Sequence, residues 1–451
     1  DALAIQGSQA QLLNAPQVGS MPVQQRFYIE TLGCPKNDVD SDKIVGTLLA
    51  DGLAATDDPS LADVVVVNTC AFIEEARRES IDTVLALGAQ RKDGARLVVT
   101  GCMAERYGAE LAEALPEADQ VAGFGVPVQF GRKPLAVSSA PIPSFDLLNL
   151  PRPKSSSPWA YVKIAEGCDR NCGFCAIPSF RGPQRSRDIE SILREVDELQ
   201  AKEIVLVAQD LASYGKDRPS ELGAGSIVPL VRAVSAAVER TRLLYLYPSD
   251  LTDELIEAML ETGVPYFDLS LQHVSKPHLR RMRRWGDGDR FLQRIADIRA
   301  LSPDAAFRSN FIVGYPGETE EDHDQLLRFV EEAQLDWCGF FTFSPEEGTH
   351  AMTLPDHVDP ALMNERISEL RGMQDDITAS RRDDLIGQTV QVLVDEVGIG
   401  RTHREAPSID GVVHVSNTLS VGQFADVEIA DALGPDLIAV GADTSQFDEE
   451  E

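Results

Sequence analysis

Cys168, Cys172 and Cys175 stand within eight residues of one another, in EGCDRNCGFCAIP, as C-x3-C-x2-C. Three thiolates spaced so tightly can wrap one iron-sulfur cluster, and a 4Fe-4S cluster held through three of its usual four ligands keeps one iron open for chemistry. A structural zinc ion wants four protein ligands, and no His or fourth Cys lies near this triplet. Three cysteines in so short a span cannot all pair as disulfides. A zinc or core-cysteine role is the alternative to the cluster.

A second set, Cys34, Cys70 and Cys102, is dispersed but alike in context: IETLGCPKN, VVVVNTCAF and LVVTGCMAE. Each cysteine follows an apolar, β-branched run that reads as a buried strand and precedes an amphipathic helical stretch, the pattern of parallel strands with crossover helices. All three therefore belong at strand C-terminal ends, on the sheet edge where ligands bind in open α/β folds. Three buried structural cysteines are the competing reading, because free Cys is among the most buried residue types. The seventh, Cys338 in DWCGFFTF, reads as a core residue of an apolar strand.

The elements that must position these thiols divide the chain. Residues 1–23, rich in Ala, Gln and Ser, read as a flexible lead-in and 24–130 as a parallel α/β sheet domain. A Pro/Ser-rich stretch over 131–158 reads as a linker. From 159 to 382 strand and helix patterns alternate through six βα units, which predicts an open parallel (β/α)6 barrel with active residues at its strand C-terminal ends. Polar residues interrupt or close its apolar strands: Gln209 and Asp210, Gln272 and His273, Arg308 and Asn310. Each either serves a bound cofactor or bonds its own loop. GYPGET, Gly314–Thr319, reads as a shaped strand-to-helix turn. Residues 383–446 alternate with the two-residue period of half-buried strands, as in a small antiparallel barrel, and 447–451 form an acidic tail. The class is α/β with this small barrel appended.

The 451 residues carry 41 Lys and Arg against 73 Asp and Glu, a formal charge of −32. From Asp383 onward there are fifteen acidic residues against Arg401 and Arg404. Such a chain repels phosphate, so a nucleic acid is the less favoured partner, and it attracts a basic protein. Solubility or adaptation to salt is the bland reading of that charge. RRMRRW, Arg280–Trp285, is a local basic exception that meets either rRNA or solvent. No apolar run approaches the roughly 20 residues that span a bilayer, and no secretory signal segment opens the chain, so a cytoplasmic setting that keeps thiols reduced is expected. His273, Glu346 and Glu347 could suggest acid-base work and are left unassigned.

The triplet, with Phe174 before its last cysteine, resembles the signature of radical S-adenosylmethionine enzymes, in which the methionyl amine and carboxylate of the cofactor chelate the open iron. The order of a three-cysteine sheet domain, a barrel with that signature and a small C-terminal barrel resembles the methylthiotransferases over about residues 24–445; their last module is the TRAM domain. The resemblance implies two 4Fe-4S clusters, the one on Cys34, Cys70 and Cys102 supplying or carrying sulfur. It also implies two uses of S-adenosylmethionine, as methyl donor and as source of a 5'-deoxyadenosyl radical. It implies cofactor contacts for Gln209, Gln272 and Arg308 and an electron donor such as flavodoxin or ferredoxin. Two subfamilies compete, one acting on a tRNA adenosine and one on the β-carbon of an aspartate in a small-subunit ribosomal protein. GCPKN, IPSFRG and LQHVS resemble the second. The partner implied is then that basic protein, free or in the assembled subunit, met through the acidic TRAM-like domain. A non-catalytic iron-sulfur sensor that docks on ribosomes is the rival from another class.

Overall fold

The computed structural model describes residues 24–124, 126–128, 146–219 and 225–443. The expected lead-in and acidic tail, and the first part of the expected linker, lie outside them.

The first domain is a five-stranded sheet of order β2-β1-β3-β4-β5, parallel throughout, made of β1 (Arg26–Thr31), β2 (Ala54–Ala55), β3 (Val64–Thr69), β4 (Arg96–Gly101) and β5 (Gln120–Ala122). Helices α1 (Pro35–Ala50), α2 (Glu74–Gln90) and α3 (Cys102–Ala114) cross between its strands. The valines of β3 are fully buried because helices cover both faces of the sheet, each side chain contributing about 1.5–3 kcal/mol.

The barrel follows as two parallel three-stranded halves. One holds β6 (Trp159–Lys163), β9 (Glu203–Val207) and β10 (Arg240–Leu243); the other holds β11 (Tyr266–Gln272), β12 (Ala306–Val313) and β13 (Trp337–Thr342). A single parallel bridge, Leu246 to Leu269, joins them. Two short antiparallel strands, β7 (Ala165–Glu166) and β8 (Arg185–Ser186), pin the base of the loop that carries the first triplet, and α4 (Ile177–Arg181) lies within that loop. The outer helices are α5 (Ile189–Leu199), α6 (Val228–Ser235), α7 (Asp253–Leu260), α8 (Lys276–Arg281), α9 (Gly288–Leu301), α10 (Glu320–Ala333) and α11 (Pro360–Asp383). The six βα units expected from sequence are present.

The last module is a closed barrel of order β14-β15-β16-β18-β17, from β14 (Thr389–Glu396), β15 (Ile399–Arg401), β16 (Val413–His414), β17 (Phe424–Leu433) and β18 (Asp436–Ala439). It differs from a wholly antiparallel barrel in one place, since β16 and β18 run parallel. The chain leaves this module after β15 and plugs the N-terminal end of the large barrel with residues 402–410. Tyr161 Oη donates to Pro407 O at 2.7 Å, Trp337 Nε1 to Arg404 O at 2.6 Å and Tyr266 Oη to Asp410 at 2.6 Å. Buried charges seal that end, with Glu203 paired to Arg242 and Arg401, and Glu405 to Arg382.

The second part of the expected linker is a packed strap. Leu147 and Leu148 are buried, Lys43 Nζ donates to Leu148 O at 2.6 Å, and Arg152 pairs with Glu195 at 3.1 Å and Asp42 at 2.9 Å. Its proline and serine content hid those anchors. Among the described residues no helix is long and apolar enough to cross a membrane.

Candidate active site: two cysteine sets on one rim

Three neighbouring strand ends deliver the dispersed cysteines. Cys34 caps α1 just past β1, Cys70 follows β3 directly and Cys102 opens α3 after β4. Gly33, at φ 101°, lets the first turn press against the second: a Cβ there would sit 2.8 Å from Cys70 Cβ and 2.9 Å from its Sγ. Asn37, fully buried, ties the strand ends together, its Nδ2 donating to Leu32 O at 2.8 Å and Thr69 O at 3.1 Å while its Oδ1 lies 3.7 Å from Cys102 Sγ. Burial pushes the Cys70 thiol up to about 12, with Cys102 and Cys34 adding to the shift, and burial raises Cys102 as well. Thiols so disfavoured as free anions are suited to cationic iron, which supplies the missing positive charge.

The contiguous set sits across the rim, at the C-terminal end of the barrel. Its loop is held by backbone amides: Gly167 N donates to Gln209 Oε1 at 3.1 Å, Cys168 N to Gly182 O at 3.0 Å and Gly173 N to Met282 O at 2.8 Å. Cations line it. Arg170 pairs with Asp210 at 2.6 Å and with Asp250, and Arg284 Nη1 lies 3.5 Å from Cys172 Sγ. Both guanidiniums stack on the Tyr247 ring, at 3.9 and 3.8 Å. Burial raises Cys168 to about 11 and Cys175 to about 12.

Among the described residues, the one three-residue group whose potential metal-binding atoms all fall within 4.8 Å is His273, His278 and Glu318. Neither thiol set therefore closes to the roughly 3.8 Å sulfur spacing that bonds of about 2.3 Å impose around a single tetrahedral zinc. Wider three-thiol cradles fit a cluster better than one ion.

A buried ionic bridge links the sets. Arg181, at the end of α4, donates to Cys102 Sγ at 2.9 Å, Asn37 Oδ1 at 3.1 Å and Glu166 at 3.0 Å, and it reaches Asp40 at 3.3 Å. Phe124 lies beneath its guanidinium at 3.9 Å. Lys163 Nζ joins Glu166 at 2.6 Å and also Asp40. Gln209 Nε2 donates to the same Glu166 at 2.9 Å while its Oε1 holds Gly167, one residue from Cys168. Burial alone raises Glu166, but Arg181 and Lys163 outweigh it and hold the carboxyl near 2. Two carboxylates and two cations thus balance inside the joint between the domains.

Asn37 and Arg181 lie within GCPKN and IPSFRG, motifs that by themselves give these two side chains no role. Their only sequence-level signal is a charged or amide residue next to a cysteine motif.

The remaining candidates are scattered. Gln272 closes β11 at this rim, half-buried, with a left-handed backbone at φ 71°. Arg308 is not brought to the rim: it lies low in β12, opposite the first residue of β13, and pairs with Asp268 at 3.5 Å and with Asp410 of the plug at 3.3 Å. Strand alternation points it inward, but sequence cannot tell that another domain meets it with a carboxylate. Glu346 ties the two domains together through Arg77 at 2.5 Å and Arg106 at 2.8 Å, Glu347 is exposed, and His273 is buried with its Nδ1 accepting from Ser275 N at 3.1 Å. In GYPGET, Glu318 accepts from Gly314 N at 2.7 Å and so fixes the turn.

Family models agree with these three bodies. Residues 26–123 match the uncharacterized protein family UPF0004, 162–330 the radical SAM superfamily and 386–441 the TRAM domain. The radical SAM domain implies a 4Fe-4S cluster and S-adenosylmethionine as cofactors. Ribosomal protein uS12 methylthiotransferase RimO of Moorella thermoacetica is 44% identical over 90% of this chain and 96% of its own. The proteins of the same name from Streptomyces coelicolor and Salinispora tropica are 39% and 41% identical, over 93% and 92% of this chain and 97% and 95% of theirs. The chain belongs to the uS12 methylthiotransferase family.

Proposed function

We propose that this protein adds a methylthio group to the β-carbon of an aspartate side chain of uS12, the ribosomal protein that its relatives are named for. The observation that carries the reading is the pair of three-thiol cradles on one rim, bridged by Arg181, Glu166 and Gln209. Cys168, Cys172 and Cys175 hold one 4Fe-4S cluster, which when bound supplies one-electron reductive cleavage of S-adenosylmethionine. Cys34, Cys70 and Cys102 hold a second cluster at which sulfur is delivered. Gln209 has both ends of its amide engaged, so it serves by fixing the cysteine loop. Gln272, with its backbone turned at the rim, contacts the cofactor. Asn37 and Arg181 keep the second cradle in register with the first, and Arg181 places positive charge beside Cys102.

The acidic C-terminal module favours a basic protein over tRNA. It sits at the opposite end of the barrel from the thiols, and strands of four to eight residues at about 3.3 Å each separate the two ends by roughly 20 Å. The substrate, free or in the small subunit, is therefore gripped along the barrel and extends its target segment over the rim. Electrons come from a small carrier of the flavodoxin or ferredoxin kind, in the cytoplasm.

The test offers uS12, assembled small subunits and tRNA side by side to reduced, cluster-loaded protein and reads product masses. Gain of a methylthio group on uS12 alone, or on subunits, is expected. Gain on tRNA alone overturns the substrate; cofactor cleavage with no transfer overturns the sulfur role of the second set.

A further inference from the structure

We infer that the arginine-rich segment Arg280–Trp285 is the docking surface for the acidic one-electron carrier, with Arg284 as its innermost contact. This rests on the proposed function for the identity of the redox centre beneath it. Arg280, Arg281 and Arg283 are exposed, Arg284 is half-buried and Trp285 is 42% exposed. In a chain of net charge −32, none of these four arginines forms an ion pair with a carboxylate among the described residues. The nearest acidic side chain of the segment that follows, Asp287, is taken by Lys276 at 3.3 Å and Arg290 at 3.5 Å. Arg281 Nη1 donates to Pro316 O at 3.2 Å and Gly317 O at 2.8 Å, and Arg284 is drawn inward to Cys172 and Tyr247, so Arg280 and Arg283 are the charge directed outward.

The segment also lies directly on the first cysteine loop. Met282 O accepts from Gly173 N at 2.8 Å, and Arg284 Nη1 lies 3.5 Å from Cys172 Sγ. Getting there requires a tight reversal after α8: Arg283 takes a left-handed backbone at φ 56°, and Arg284 N donates back to Leu279 O at 2.8 Å. Glycine is the usual residue at such a helix end. An arginine held there at a conformational cost is the kind of strain that marks a functional surface.

Arginines around an exposed tryptophan have the composition of a protein-docking hot spot. Ribosomal RNA is the competing polyanion. RNA extends far beyond the patch and meets the acidic remainder of the chain, whereas a small carrier confines its contact to the patch, and acidic charges much more than roughly 8 Å from that contact are largely screened at physiological ionic strength. The step needs no bond change at the protein: one electron leaves the carrier's reduced flavin and enters the cluster beside Cys172.

The experiment uses reduced flavodoxin as the probe with full-length, cluster-loaded protein. It measures the dissociation constant and the rate of cluster reduction by absorbance, for wild type, Arg280→Glu/Arg283→Glu and the milder Arg280→Gln/Arg283→Gln. Expected are at least tenfold weaker binding and slower reduction in the charge reversal, a smaller loss in the Gln pair, and wild-type affinity that falls as salt rises. Reduction by dithionite should be unchanged. Unaltered flavodoxin binding overturns the inference, whether or not small-subunit RNA binding is lost; if RNA binding alone is lost, the patch is an RNA contact. Failure of dithionite itself to reduce a center lost in Cys172→Ala would instead sink the proposed cluster, independently of the docking affinity.

Discussion

The two cysteine sets reach one rim by opposite routes. Cys168, Cys172 and Cys175 arrive in a single loop pinned at its base by β7 and β8, so local spacing alone brings them together. Cys34, Cys70 and Cys102 arrive on three strands, and their convergence depends on sheet order, on Gly33 and on Asn37 and Arg181. A loop can be rebuilt around its ligand, whereas a dispersed cradle is only as good as the packing behind it. The second site should therefore be more sensitive to changes outside its own cysteines.

The largest expected effect separates the two chemically. Cys172→Ala should abolish cleavage of S-adenosylmethionine, while Cys70→Ala should spare cleavage and stop sulfur insertion. Iron analysis on each should fall from about eight to about four per chain, at four per cubane. Unchanged iron in Cys70→Ala would make the dispersed set structural and dissolve the comparison.

Next is Arg181→Met, which leaves Asp40 and Glu166 buried beside Lys163 with one cation too few. Removing one partner of such a network costs about 3–5 kcal/mol, read by urea denaturation. Iron should be lost from the second set before the first, although Arg181 belongs to the loop of the first.

The pH dependence tests the same joint. Glu166 is held near 2 by Arg181 and Lys163 against the effect of burial, and Glu405 is held near 2 by Arg382 and Thr402, again against burial. Folded values below the unfolded value of about 4.5 mean stability that is present above pH 4.5 and lost as pH falls toward 2. Denaturation midpoints should drop along this acid limb, and the limb should be shallower in Arg181→Met. An unaltered limb would place the acid sensitivity elsewhere.

Smaller still is Gln209→Leu, which leaves Gly167 N without its acceptor and costs about 1–2 kcal/mol. Cofactor cleavage should slow about tenfold by the loop's loss of order, with the second set's iron intact. The smallest is Cys338→Ala, on β13 opposite Ser309, expected to shift stability by about 1 kcal/mol or less and leave iron content unchanged.

Much of this protein was legible in its sequence. β-branched runs before Cys70 and Cys102 announced buried parallel strands, six strand-helix alternations announced the barrel, and the spacing of Cys168, Cys172 and Cys175 announced a ligand loop. The strap over 146–158 was not legible, because Leu147, Leu148 and Arg152 find their partners on α1 and α5 through contacts far away in the chain. Arg308 misled for a similar reason: period-two alternation gives the inward side of a strand but not its neighbours, and Asp410 comes from another domain about a hundred residues on.

By itself the sequence determined what depends on short-range chemistry: strand and helix periodicity, the three-thiol loop, the acidic charge and the order of the domains. Only the tertiary structure decided which distant groups meet. It brought three strand ends into one cradle, set Arg181 between Cys102 and Glu166, gave Arg308 to the plug, and laid an arginine-rich segment with no carboxylate partner among the described residues against the cysteine loop. The physical reason is that buried charges must find partners wherever packing brings them, and packing is a property of the whole chain.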